Sequence, residues 1–123
     1  PFVQPADLAR GAEALKNNDC DFAFSAAEFT APVYRAFRQV GGGVEMLFPE
    51  HELTRSQDLP KVLHDAAQFY WGRPPAWRER RRVFGPRSVP IIIPSWRVQD
   101  IDSTDDWKRA ELLFAQLNQV PRG

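Results

Sequence analysis

The sequence predicts an α/β domain built around a parallel sheet, and three stretches carry that expectation. Leu8, Ala12 and Leu15 recur at helical spacing behind Pro5, a residue suited to a first helical turn. A strand-like run, Asp21 to Ala27 (DFAFSAA), follows closely, with Phe22 and Phe24 alternating with small residues. A second apolar run, Val89-Pro90-Ile91-Ile92-Ile93, leads towards a last amphipathic helix. Helix followed by strand is the order in which parallel α/β sheets are built.

The elements follow in order. Asn17-Asn18 closes the first helix, and Thr30-Ala31-Pro32 breaks the first strand. Val33 to Val40 and Val44 to Phe48 read as a hairpin around Gly41-Gly42-Gly43, an excursion from the α/β pattern. The glycines lie between two strand-like runs and precede no helix, so they are not a phosphate cradle. Residues 49–60 are polar and bounded by prolines, as a loop or short helical turn would be. Residues 61–72 end in an aromatic strand, Phe69-Tyr70-Trp71, closed by Gly72, with Tyr70 facing away from its two neighbours. Pro74-Pro75 opens a short helix, Ala76 to Arg82, which Gly85-Pro86 ends. The strand Val89 to Ile93 comes next. Val98 and Ile101 favour β structure, so Arg97 to Asp102 reads as a further strand running into the last helix. In that helix Trp107, Ala110, Phe114 and Leu117, with Leu113 beside them, form a stripe expected to pack on a sheet.

Composition narrows the function. At 123 residues the chain is one domain at most. Lys+Arg and Asp+Glu balance at 16 each, which gives no reason to expect nucleic acid or a membrane surface. The single cysteine, Cys20, excludes an internal disulfide framework and fits a reducing compartment. No apolar run approaches the roughly 20 residues of a membrane helix, and no signal-peptide pattern appears.

The acids behind the last strand are the sharpest chemical feature. On a strand Asp100 and Asp102 would share a face with Cα atoms roughly 6.5 Å apart. Carboxylates so close repel unless a cation lies between them, and magnesium suits such an oxygen pair. A structural alternative stands beside it: Asp102 or Ser103 caps the helix, with Ser103 and Asp106 forming a variant of the capping box. A second candidate is Thr54-Arg55-Ser56-Gln57-Asp58-Leu59-Pro60. There Arg55 suits a carboxylate held by two parallel charged bonds, and Gln57 and Asp58 suit hydroxyl or amide groups. The competing account is a surface turn with Asp58 paired to Arg55. A third is His64-Asp65 with Gln68 and Tyr70 on the aromatic strand, polar groups beside apolar patches. Arg78, Arg80, Arg81, Arg82 and Arg87 read as a solvated helix face, with no interleaved aromatic platform for nucleic acid.

Taken together, TRSQDLP, HDAAQFYWG and RVQDIDSTDDW resemble, in order, the C-terminal part of the acylneuraminate cytidylyltransferases (CMP-sialic acid synthetases), closest to the pseudaminic acid branch. The resemblance covers nearly the whole chain, and Pro1-Phe2 looks like the end of a family strand. It departs at Ala67, where this branch usually has glycine. It implies the C-terminal part of a Rossmann-like nucleotide-diphospho-sugar transferase fold, with residues 32–72 as an inserted hairpin subdomain for dimerisation and sugar binding. The implied reaction joins CTP to a nine-carbon keto sugar acid, pseudaminic acid first or N-acetylneuraminic acid otherwise, giving the CMP-sugar and pyrophosphate. It implies Mg2+ on Asp100 and Asp102, and catalytic roles for those two and Arg55. It further implies sugar contacts from Arg55, Gln57, Asp58, Gln68 and Tyr70, a homodimer, and a cytoplasmic setting. The family's N-terminal CTP-gripping loop is absent from residues 1–123, so this chain alone is expected to be inactive. A non-catalytic dimerising module of the same fold is the competing function.

Overall fold

In the computed structural model, which describes residues 2–119, the elements run α1 (Pro5–Asn17), β1 (Phe22–Glu28), β2 (Phe37–Val40), β3 (Gly43–Met46), β4 (Leu63–Gly72), α2 (Pro74–Arg78), β5 (Ser88–Ile92) and α3 (Thr104–Gln119). The family-derived reading of Pro1 lies outside the described residues. The chain forms two compact units: the portion up to Ala27 with the portion from Asp65 onward, and Glu28–His64.

The first unit is mixed α/β around a three-stranded sheet of order β4-β1-β5. β1 and β5 are parallel, Phe22 opposite Ser88 and Ala26 opposite Ile92. β1 is the middle strand, and Phe22 through Ala27 are all buried, which explains its uninterrupted small and aromatic residues. Just past the end of β4, Arg73 N donates to Asp21 O at 2.9 Å, while on β4 Gln68 N and Phe69 N donate to Ser25 Oγ at 3.0 and 3.2 Å. These contacts run in opposite senses along the two strands, so β4 is antiparallel to β1. Ala23, Phe69, Ile91 and Ile93 form a core cluster, with Leu8 and Leu15 of α1 and Val98 packed against it. Gly11 lets α1 approach the aromatic strand: a Cβ there would lie 2.5 Å from Trp71 Cδ1. Trp71 Nε1 donates to Leu8 O at 3.0 Å across the same contact. Cys20 is buried beside the end of α1.

The ends of α1 and α2 show what the arginines do. Arg73 donates to the carbonyls of Leu15, Asn18 and Cys20, closing the exposed carbonyl end of α1. The helix expected to reach Arg82 stops at Arg78. Arg80 adopts a left-handed φ of 53°, Arg81 N bonds Ala76 O at 3.0 Å, and Arg80 N bonds Trp77 O at 3.2 Å. This is a Schellman ending with arginine where glycine is usual. Arg81 and Arg87 do not form a solvated helix face: both pair with buried Asp21, at 3.0 and 3.3 Å.

Two further expectations are corrected. Residues 98–102 form no strand. A short 3-10 turn, Ser95–Arg97, precedes them, and the helix begins at Thr104. The α3 stripe is not core packing: Ala110 is buried, but Trp107 and Phe114 are about half exposed.

In the second unit β2 and β3 form the expected hairpin, shorter than the sequence runs suggest. Phe37 faces Met46 and Val40 faces Gly43, around the two-residue turn Gly41-Gly42. Gly41 has φ 58°, the left-handed value that such turns demand. Arg38 pairs with Glu45 across the strands at 3.4 Å. A 3-10 turn at Val33–Arg35 takes the place of the start of the first predicted hairpin strand.

Candidate functional site

Asp100 and Asp102 lie in the first unit on the loop joining the Ser95–Arg97 turn to α3. The helix cap is settled by their neighbours. Asp106 N donates to Ser103 Oγ at 3.2 Å, and Asp106 Oδ2 accepts from Ser103 N at 3.0 Å and Asp102 N at 3.1 Å. This reciprocal box satisfies the amide end of α3 with Ser103 and Asp106. The Asp102 amide first, then Ser103, hold the Asp106 carboxyl below its ordinary range. The Asp102 carboxylate is therefore not needed as a cap and makes no bond among the described residues. Among the described residues, Asp100 Oδ1 accepts only the next amide, Ile101 N, at 3.1 Å. Both acids are exposed. Among the described residues no group of three or more His, Cys, Asp or Glu side chains is placed to hold a metal.

On β4 the structure brings Tyr70 into the field of Asp100. The Tyr70 hydroxyl donates to Asp65 Oδ2, and its ring stacks on Phe24 with centroids 6.1 Å apart. Burial, then the Asp65 bond and charge, then the Asp100 charge, push the phenol from 10 up to about 12. Its proton is thus committed to Asp65, and its free lone pairs make it an acceptor. Asp65 Oδ1 also accepts from Ala67 N at 2.8 Å, an Asx turn that holds Ala67 at φ 56°. Sequence reasoning paired Asp65 with His64 and missed this use. The signal was present in an Asp two residues before a position where the resembling branch has glycine.

Gln68 sits two residues before Tyr70. Its Nε2 donates to Arg97 O at 2.8 Å, while its buried Oε1 has no partner among the described residues. A buried acceptor without a donor is uncommon and suits a ligand or water.

The remaining site residues belong to the second unit. Arg55 precedes a 3-10 turn, Ser56–Asp58, and its carbonyl accepts from Asp58 N at 2.9 Å. Arg55, Gln57 and Asp58 are all exposed. Arg55 and Asp58 form no ion pair among the described residues, so the guanidinium is open to an outside carboxylate. Arg35 braces this loop from behind, donating to Glu52 O at 3.4 Å and to Thr54 O. No motif pointed to that role.

No protein-family model matches the chain. It is 36% identical over 115 residues to pseudaminic acid cytidylyltransferases from two strains of Campylobacter jejuni, covering 93% of this chain and 50% of each relative. It is 38% identical over 101 residues to a Helicobacter pylori protein named as pseudaminic acid cytidylyltransferase and UDP-2,4-diacetamido-2,4,6-trideoxy-beta-L-altropyranose hydrolase, covering 81% of this chain and 19% of that protein. The chain thus spans about half the length of the Campylobacter relatives. These relatives carry the name of the branch that the three motifs resemble.

Proposed function

From a chain homologous over 93% of its length to pseudaminic acid cytidylyltransferases, we propose the sugar- and metal-binding portion of a nucleotidyltransferase. It moves CMP from CTP to a nine-carbon keto sugar acid, pseudaminic acid before N-acetylneuraminic acid. The anomeric hydroxyl of the sugar forms a bond to the α-phosphorus of CTP while the bond to pyrophosphate breaks. On this reading the fold is the corresponding part of a Rossmann-like nucleotide-diphospho-sugar transferase. The hairpin region 32–72 serves dimerisation and sugar binding in a homodimer.

The observation that carries the reading is that Asp100 and Asp102 keep their carboxylates out of the helix cap. Two exposed oxygen donors, which among the described residues no His or Cys joins in a metal-holding group, fit Mg2+, which keeps several waters and binds substrate phosphates as well. When bound there, Mg2+ would neutralise charge on the triphosphate and the leaving pyrophosphate. Arg55 holds the sugar carboxylate through paired charged bonds, and Gln57 and Asp58 meet its hydroxyl or amide groups. Gln68 Oε1 and the Tyr70 oxygen accept bonds from the sugar. The aromatic strand suits the N-acyl groups and terminal methyl of pseudaminic acid better than a glycerol tail.

Pyrophosphate release from CTP tests this. The 123-residue chain alone is expected to release it negligibly with either sugar. Joined to the half of a Campylobacter relative that it does not match, it should release pyrophosphate with a higher kcat/KM for pseudaminic acid. Asp100→Ala or Asp102→Ala should cut that rate at least about a hundredfold. Equal kcat/KM for the two sugars would refute the sugar preference. Full activity in both aspartate variants would refute the metal role.

A further inference from the structure

Arg97 has no part in the chemistry above, yet it is tied to the fold on the approach to the two acids. Its guanidinium donates to Asp7 Oδ2 of α1 at 2.7 Å, with the two side chains only 14% and 6% exposed. The same carboxylate takes a second, weaker contact from Arg10 at 3.3 Å. The Arg97 carbonyl accepts from Gln68 Nε2 of β4 at 2.8 Å, and the next residue, Val98, packs on the core cluster. Three ties, from α1, from β4 and from the core, thus converge on one end of the acidic loop. At the other end Gln99 Nε2 reaches Asp106 Oδ1 at 3.4 Å, and Ser103 and Asp106 close the cap. Between these ends Asp100 and Asp102 project without being consumed by the fold.

A buried ion pair contributes little net stability, because desolvation offsets much of the attraction. Its use here is better explained by geometry. We propose that Asp7 and Arg97 are positioning residues: their buried pair, with the Gln68 amide, fixes where the loop presents Asp100 and Asp102 to a divalent ion. This rests on the reading that those two acids bind such an ion. It adds a coupling, because Gln68 joins the strand assigned to the sugar to the loop assigned to the metal. With Nε2 committed to Arg97, Gln68 is left to meet a ligand as an acceptor.

Mn2+ titration of this chain, followed by electron paramagnetic resonance of the free ion, tests the proposal without any turnover. The unaltered chain is expected to bind Mn2+ saturably and Asp100→Ala to lose it. The double variant Asp7→Leu/Arg97→Met removes both charges, so neither is stranded in the interior. It should keep the far-UV circular dichroism and cooperative melting of the parent while binding Mn2+ about tenfold more weakly, as loss of an outer-shell support does. A folded double variant with Mn2+ affinity within about twofold of the parent overturns the positioning role and leaves the metal reading standing. Absence of saturable binding to the unaltered chain overturns both. Should the double variant not fold, Arg97→Lys decides. It keeps the charge and loses the planar fork, and an unchanged Mn2+ affinity in it counts against the proposal.

Discussion

Ala67 and Arg80 hold left-handed backbone, φ 56° and 53°, which costs a side-chain-bearing residue about 1–2 kcal/mol. The Asx turn from Asp65 offsets part of that cost at Ala67, and the Schellman bonds do so at Arg80. Ala67→Gly and Arg80→Gly should each therefore raise unfolding stability in urea by about 1 kcal/mol, read as a higher midpoint at unchanged slope. Tyr70 makes a separate prediction. Its folded pKa lies above its ordinary value, so the unfolded chain loses the phenolic proton first. The stabilisation is present below pH 10 and declines as pH rises from 10 towards 12. Absorbance titration near 295 nm should show one tyrosine ionising late, and Asp65→Asn should bring it earlier. Asp106 works in the opposite direction. Its folded pKa is lowered, so its contribution is present above pH 3.8 and fades as pH falls through its folded pKa. Ser103→Ala, which removes the other half of the box, should cost about 1 kcal/mol. The box was legible because serine and an acid stood three apart ahead of a helical stripe. The Asp65–Tyr70 bond was not, because it depends on a strand bending at Ala67.

The helices and strands that sequence reasoning placed well were those whose pattern matched their surroundings. β1 carries an uninterrupted run because it is the buried middle strand; β5 pairs with it at the sheet edge, burying Ile91 but leaving Pro90 and Ile92 exposed; and Gly41 sits where a two-residue turn needs positive φ. The segment 98–102 shows the limit. Val98 has extended backbone, φ −122° and ψ 122°, as its β-branched side chain favours. A strand also needs backbone partners, and here side chains intervene: Gln68 takes the Arg97 carbonyl and Asp100 takes the Ile101 amide. Close approach of elements gives a sharper test. A Cβ on Gly72 would lie 2.3 Å from Trp77 Nε1 and 2.8 Å from Phe22 Cδ1, where β4 runs into α2. Gly72→Ala should therefore destabilise by about 1–3 kcal/mol through overpacking, seen as a lowered Tm. On the hairpin, Phe37, Val40 and Val44 are exposed on adjacent strands. If this element joins two copies as proposed, Val44→Asp should shift sedimentation from dimer to monomer and leave helix content unchanged.

Across the whole chain, the three motifs that pointed to a family were spread from Thr54 to Trp107, and their order carried more information than any one of them. Periodicity said that α3 has an apolar face but could not say what meets it. Trp107, Leu112 and Phe114 remain exposed in a chain about half the length of its Campylobacter relatives. An apolar dye such as anilinonaphthalene sulfonate should therefore bind at neutral pH, and Leu112→Ser with Phe114→Ser should reduce its fluorescence while the melting transition persists. Among the described residues no helix is long and apolar enough to cross a membrane. Cys20, only 3% exposed, gives the molecule one further property. It is the sole thiol in the chain and lies in the link between α1 and β1 with its Sγ 4.0 Å from Ala14 O, so alkylation requires that link to open. The labelling rate under native conditions is thus a direct clock for that opening, with no competing thiol to confuse the signal.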